Sequence, residues 1–302
     1  MAKIVVLNGQ RVNYDGLMDY GILGDNVTVY DDSTPQQYAE RLEGADIAAF
    51  PESVKLICEA GTGYNNIDLE AAKAKGITVC NIPAYSTQRV AQTAIMLLLG
   101  LSSRMQVQQA MLTRGDTSNF TKCLSVSHTE VNGKTLGIIG AGSIGRKVID
   151  VALALDMEVL AYTRTPREDE PHIHYCSLEE VLSKADYISL HCPLTPQTRH
   201  IINEDTLKLV KPTACIINTA RGALIDEAAL LKALDEGRLA GAGLDVQEVE
   251  PPAEGSPLYT NDKIILTPHM GWKGLETRQR LLEILAGNIK AYLEGSPRNV
   301  IV

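Results

Sequence analysis

The sequence predicts a two-domain α/β protein whose second domain is a doubly wound parallel sheet. Three observations lead there. Short β-branched runs alternate with longer amphipathic segments along all 302 residues, the pattern of parallel strands joined by crossover helices. A long helical stretch followed by a polar, irregular one divides this alternation in two. A glycine turn opens the second half.

In chain order, the first hundred residues supply KIVVLN, NVTVYD, DIAAF, LICEAG and TVCNIP as strand-like runs, each separated by helix-like or turn segments. A helical run begins near Ser86 and continues through VAQTAIMLLLGLSSRMQVQQAML, the natural bridge to a second unit. The irregular stretch RGDTSNFTKCLSVSHTEVNGK follows. From Thr135 the chain then offers TLGIIG, EVLAYT, YISLHC, ACIINTA, AGAGLDV and IILTP, six strands that make one full Rossmann-type sheet.

Composition narrows the function classes. The length allows two proper cores, and 45% hydrophobic with 22% charged residues is ordinary for a globular chain. A net charge of −9 argues against nucleic acid as a partner. The longest apolar stretch, Ala94 to Leu101, is too short to span a bilayer. MAKIVVLN lacks the long apolar core of a signal peptide, so a cytoplasmic location is expected. The six cysteines show no C-x-x-C pairing, which favours core packing over metal binding or disulfides. His172 and His174 without further ligands nearby read as a solvated loop, and no metal is expected.

Gly140, Gly142 and Gly145 form G-x-G-x-x-G between a strand and the helix that Ser143 and Ile144 begin. Glycines at this spacing permit a tight turn, close approach to a pyrophosphate and close helix packing, and the helix N-terminus offers free N–H groups. A purely steric turn is the alternative. After the next strand an acid would accept from a ribose 2′-hydroxyl, but Thr163 stands there with Arg164 behind it and Arg167 close by. Removing that repulsion and adding a guanidinium favours NADP over NAD. A solvated Arg164 in an enzyme accepting both cofactors is the alternative.

Later strand ends carry HCPLTPQTRHIIN, NTARGALIDE, GLDVQEVEPP and LTPHMGW, and strand C-termini face the ligand crevice of an open α/β sheet. With AGTGYNNIDLEAAKAKGI, these segments closely resemble the D-2-hydroxyacid dehydrogenases, NAD(P)-dependent enzymes that interconvert 2-oxo and D-2-hydroxy acids. The resemblance covers nearly the whole chain. It implies that Arg221 holds the substrate carboxylate, that His269 is the general acid/base, and that Glu250 pairs with His269. It implies further that Thr62 and Gly63 present backbone N–H groups to the carboxylate. Asp245 would bond the nicotinamide carboxamide, with Thr219 and Ala220 beside the ring, Cys192, Pro193 and Thr198 on the adenosine side, and His269 and Gly271 also on the cofactor.

By the same resemblance, residues 1–99 and 273–302 form a flavodoxin-like substrate domain, and residues 100–272 form the dinucleotide domain inserted into it. A homodimer through the region of Val90 to Met111 is implied. TPHMGW, AGTGYNNIDLEAAKAKGI and VAQTAIMLLL look most like glycerate dehydrogenases and hydroxypyruvate or glyoxylate reductases. Tyr64, Tyr85 and Trp272 are candidates near the substrate or the hinge. The segment from Arg114 to His128 departs from the family pattern, so D-lactate or a branched 2-hydroxy acid stays open. A non-catalytic, NAD(H)-sensing corepressor-like protein and a formate or phosphite dehydrogenase are the rival classes. Intact Arg221, Glu250 and His269 speak against the first, and Glu250 in place of glutamine against formate.

Overall fold

Residues 3–34, 37, 41, 54–64, 66–120 and 125–302 are described in the computed structural model. The chain divides into two units, Met1–Ser86 with Trp272–Val302 and Thr87–Gly271.

In the first unit, β1 (Ile4–Val6) pairs in parallel with β2 (Val27–Val29), and β3 (Leu56–Cys58) with β4 (Thr78–Cys80). The expected strand DIAAF, Asp46–Phe50, lies outside the described residues. Helix α1 (Leu69–Ala74) starts where the Asp68 carboxylate accepts from the Ala71 N–H, and the chain leaves it through Gly76 at φ 65°. The core of this unit joins both ends of the chain: Val12, Met18 and Leu23 pack with Leu281, Leu282 and Leu285 of the C-terminal helix Leu275–Leu293. Arg278 on that helix is buried, and Asp15 neutralises it through a bidentate pair while Tyr14 lies under its guanidinium. Trp272 and Tyr85, both candidates for the substrate side, pack into this same core.

The second unit begins with α2 (Thr87–Ser102) and α3 (Met105–Thr113). The single helical run expected from Ser86 onward is therefore broken, because Arg104 takes a left-handed conformation (φ 50°) and ends the hydrogen-bond ladder. Helix α2 also belongs to the second unit, so the units part between Ser86 and Thr87, not near Gly100. The reason is packing: Ala94, Leu97 and Leu98 of α2 are buried against Leu136, Ile138 and Ile217 of the sheet. Each of the two leucines contributes roughly 1.5–3 kcal/mol by burial.

The sheet of this unit contains β5 (Thr135–Ile139), β6 (Glu158–Tyr162), β7 (Ile173–Tyr175), β8 (Tyr187–Leu190), β9 (Cys215–Asn218), β10 (Gly241–Leu244) and β11 (Ile264–Leu266). Their order is β11-β10-β9-β8-β5-β6-β7, all parallel. Seven strands thus replace the expected six. The extra one is the edge strand IHY, which places His174 on the sheet and leaves His172 on the exposed turn before it. Helices α4 (Ser143–Ala154), α5 (Leu178–Lys184), α6 (Glu204–Leu207) and α7 (Glu227–Asp235) complete the unit. Neighbouring residues point to opposite faces: Ile216 joins the core under α5 and α7, Ile217 the one under α2 and α4. Both faces are covered, as a parallel sheet requires. No described helix is long and apolar enough to cross a membrane.

Candidate active site

The strand order reverses at β5, with β6 on one side and β8 on the other, and the glycine turn leaves β5 at this point. Gly140 has φ 102°, and a Cβ there would lie 2.6 Å from the Cys192 nitrogen. A Cβ on Gly145 would sit 2.3 Å from the Gly140 carbonyl oxygen. Gly142 faces open space and is the N-cap of α4, without a side-chain cap. The free N–H groups of Ser143, Ile144 and Gly145 and the positive end of α4 therefore form an anion cradle that no side chain of the helix start occupies.

The neighbouring strand ends supply the rest of a dinucleotide groove. Thr163, after β6, donates from Oγ1 to the Thr165 carbonyl at 2.7 Å. Arg164 is exposed and makes no hydrogen bond or ion pair among the described residues, whereas Arg167 lies over the Tyr175 ring. After β8, Thr198 Oγ1 donates to the Pro193 carbonyl at 2.7 Å and shapes that loop. Burial pushes the Cys192 thiol up to about 11, so it is a spacer and not a nucleophile. The buried Thr219 hydroxyl, after β9, has no partner among the described residues. The adjacent His191 is half-buried, and desolvation of its ring pulls the imidazole down to about 4; Nε2 meets Ser189 Oγ at 2.8 Å while Nδ1 lacks a partner among the described residues. Unsatisfied polar atoms at two adjacent strand ends, with the glycine cradle, fit a polar ligand such as the nicotinamide dinucleotide.

The catalytic candidates come from three loops. Asn218 braces the first: its Oδ1 accepts from the Ala220 N–H at 3.0 Å and its Nδ2 donates to the Arg221 carbonyl at 2.8 Å. Gly222, which follows, presses on the second loop so closely that a Cβ would fall 1.9 Å from the Gln247 carbonyl carbon. Within the second loop the Gln247 N–H donates to Glu250 Oε1 at 3.1 Å, and the Glu248 N–H donates to Glu227. The third loop hangs on Asp245. Its Oδ1 accepts from Thr267 Oγ1 (2.6 Å) and the Met270 N–H (2.9 Å), and Oδ2 accepts from the Gly271 N–H (2.8 Å).

Between these bonded residues His269 takes a left-handed conformation, φ 47°. That costs on the order of 1–3 kcal/mol, which the Asp245 bonds on either side offset. It aims the ring at Glu250, with Nδ1 2.7 Å from Oε2. Burial alone would raise the Glu250 carboxyl; the His269 hydrogen bond and charge, the Gln247 N–H and the Arg221 charge outweigh it and hold the group below its ordinary range. An ionised Glu250 only accepts, so His269 Nδ1 carries a proton and Nε2 is left to exchange one with a ligand.

The structure thus brings Arg221, Glu250 and His269 together and puts Asp245 and Gly271 directly behind them. Thr62 and Gly63 lie in the other unit, where Thr62 Oγ1 donates to the Ile82 carbonyl at 2.9 Å and its carbonyl accepts from Asn81 Nδ2 at 2.8 Å. Asn218 and Thr267 escaped the sequence reading although both hold the loops in place. The only signal was position, one at a strand end and one just beyond.

Fold and site together define a nicotinamide-dependent α/β oxidoreductase. Residues 95–271 match the model of the D-isomer specific 2-hydroxyacid dehydrogenase NAD-binding domain, and the chain belongs to that family, whose members act on CH–OH groups. It is 38% identical over 284 residues to the glycerate dehydrogenase of Methylorubrum extorquens, covering 89% of each chain. It is also 38% identical over 320 residues to the hydroxypyruvate reductase of Blautia hydrogenotrophica, covering 99% of each. A glyoxylate reductase structure from Paecilomyes thermophila superposes with a TM-score of 0.83 at 31% identity, over 100% of this chain and 99% of that one.

Proposed function

We propose that this enzyme reduces hydroxypyruvate and glyoxylate to their D-2-hydroxy acids, with His269 as the proton donor and NADPH preferred over NADH. The observation that carries the chemistry is the 2.7 Å contact between His269 Nδ1 and an ionised Glu250. The bound nicotinamide supplies the hydride. Arg221 binds the substrate carboxylate through its planar fork of donors and keeps the carbonyl within reach of His269. Glu250 favours the imidazolium form, so a proton is held at Nε2. It passes to the carbonyl oxygen, yielding the hydroxyl and a neutral imidazole. In oxidation the same nitrogen takes the hydroxyl proton back.

The backbone of Thr62 and Gly63 is assigned to the substrate carboxylate on the family resemblance. Asp245, Thr219, Ala220, Cys192, Pro193, Thr198 and Gly271 are assigned to the cofactor on the same ground. The NADPH preference rests on Arg164, without a partner among the described residues, beside a threonine in place of an acid. A small substrate side chain is supported by the names of the relatives, and a homodimer by the family resemblance alone. The test is decay of nicotinamide absorbance with hydroxypyruvate, glyoxylate and pyruvate, each with NADPH and with NADH. Turnover should be fastest with the first two acids and NADPH. Absence of turnover with any 2-oxo acid, despite cofactor binding, would favour a sensor.

A further inference from the structure

The edge of the dinucleotide sheet gathers a second set of reactive side chains away from Arg221, Glu250 and His269. His174 on β7 and Cys176 just after it are two residues apart on an extended chain and therefore share a side. Ser177 caps α5 by accepting from the Glu180 N–H, which sets Glu180 in the first helical turn above them. One ligand atom from each of His174, Cys176 and Glu180 lies within 4.8 Å of the others. Asp169 meets His174 Nδ1 at 2.6 Å through Oδ2 and accepts the Tyr175 N–H through Oδ1. The imidazole is thus oriented by a carboxylate on one nitrogen while the other, Nε2, is 3.9 Å from Glu180 Oε1. That is how metal-ligating histidines are held.

We propose that His174, Cys176 and Glu180 form a divalent transition-metal site of the zinc class, with Asp169 positioning His174. Sulfur, nitrogen and oxygen donors together suit zinc and exclude calcium or magnesium, which take oxygen alone. Three protein ligands leave a fourth position for water. Bond lengths of about 2.0–2.3 Å require the ligand atoms to draw closer than they stand. Among the described residues the cation in the way is Lys184, 2.7 Å from Glu180 Oε1 at an exposed pair that is readily broken. Binding expels the Cys176 thiol proton and forms a metal–thiolate bond, with no change of oxidation state.

The test is titration of metal-stripped, full-length protein with cobalt(II), followed by competition with zinc. Wild type should develop a thiolate-to-cobalt charge-transfer band and the visible bands of a tetrahedral ion, both bleached by zinc. Cys176→Ser should abolish the charge-transfer band. Asp169→Asn should weaken binding by about 10–100-fold, and Lys184→Ala should tighten it by removing the competing cation. Thermal melts of the metal-free proteins separate lost ligation from lost folding; if Cys176→Ser fails to fold, Glu180→Gln at the helix surface must weaken cobalt binding at least tenfold. No charge-transfer band in wild type, or a band that survives in folded Cys176→Ser, overturns the proposal.

Discussion

Replacing Glu250 with glutamine tests the coupling on which the proton transfer rests. The change keeps the size of the side chain and removes one negative charge 2.7 Å from His269 Nδ1. At that distance two unit charges attract by about 1.5 kcal/mol in water and by about 6 kcal/mol at an effective dielectric of 20. The side chains of His269 and Glu250 are 38% and 35% exposed, so solvent screens the pair and the lower figure applies. An energy of that size is about tenfold in an equilibrium constant. The sign follows from the role. Reduction needs the imidazolium, which the carboxylate stabilises, so its removal lets the proton leave at lower pH. The alkaline limb of kcat/KM for reduction should move to lower pH, and the rate at pH 8 should fall more than the rate at pH 6, by up to about tenfold. The assay is a pH series with NADPH and hydroxypyruvate on both proteins at fixed ionic strength. A limb that stays in place, or moves to higher pH, would refute the assignment of Glu250 as the group that sustains the His269 proton.

His269→Gln should lower turnover by about 10²–10⁴-fold while leaving NADPH affinity nearly unchanged; stopped-flow reduction and fluorescence titration report the two quantities separately. Arg164→Ala should weaken NADPH alone by roughly ten- to a hundredfold, the worth of a charged hydrogen bond, and Thr163→Asp should turn the ratio of kcat/KM values toward NADH. Equal losses with both cofactors would remove Arg164 from the 2′-phosphate. Gly145→Ala puts a methyl group 2.3 Å from the Gly140 oxygen and must spread the turn; an overpacking cost of about 1–3 kcal/mol should appear as at least fivefold weaker cofactor binding by calorimetry.

The parts of the fold that could be read from the sequence were those with local causes. Alternating apolar runs and the G-x-G-x-x-G turn located β5, β6, β8, β9, β10 and β11, of which β8, β9 and β10 are buried throughout and β5 at all but its first residue. Strand β7 escaped because IHY is three residues long, half exposed and centred on a histidine. The parting of the units also escaped: an apolar helix such as α2 has no local mark of which sheet it covers, and only Leu97 and Leu98 against Leu136 and Ile138 decide it. The same divide holds in the site. Arg221, Glu250 and His269 stood out by strand-end position and family pattern. Their bracing by Asn218, Asp245 and Thr267 depends on contacts made across loops, such as Asp245 to Met270, that no spacing rule contains. His174 and Cys176 read as unrelated until α5 set Glu180 above them.

The core that joins Val12, Met18 and Leu23 to Leu281, Leu282 and Leu285 also orders events in time. Synthesis runs from the N-terminus and domains fold as units when their residues are available. Everything from Thr87 to Gly271 is on hand before the last helix has been made. The Asp15 partner of Arg278 therefore waits through most of translation for the cation it will neutralise, and the unit begun first is the last to close.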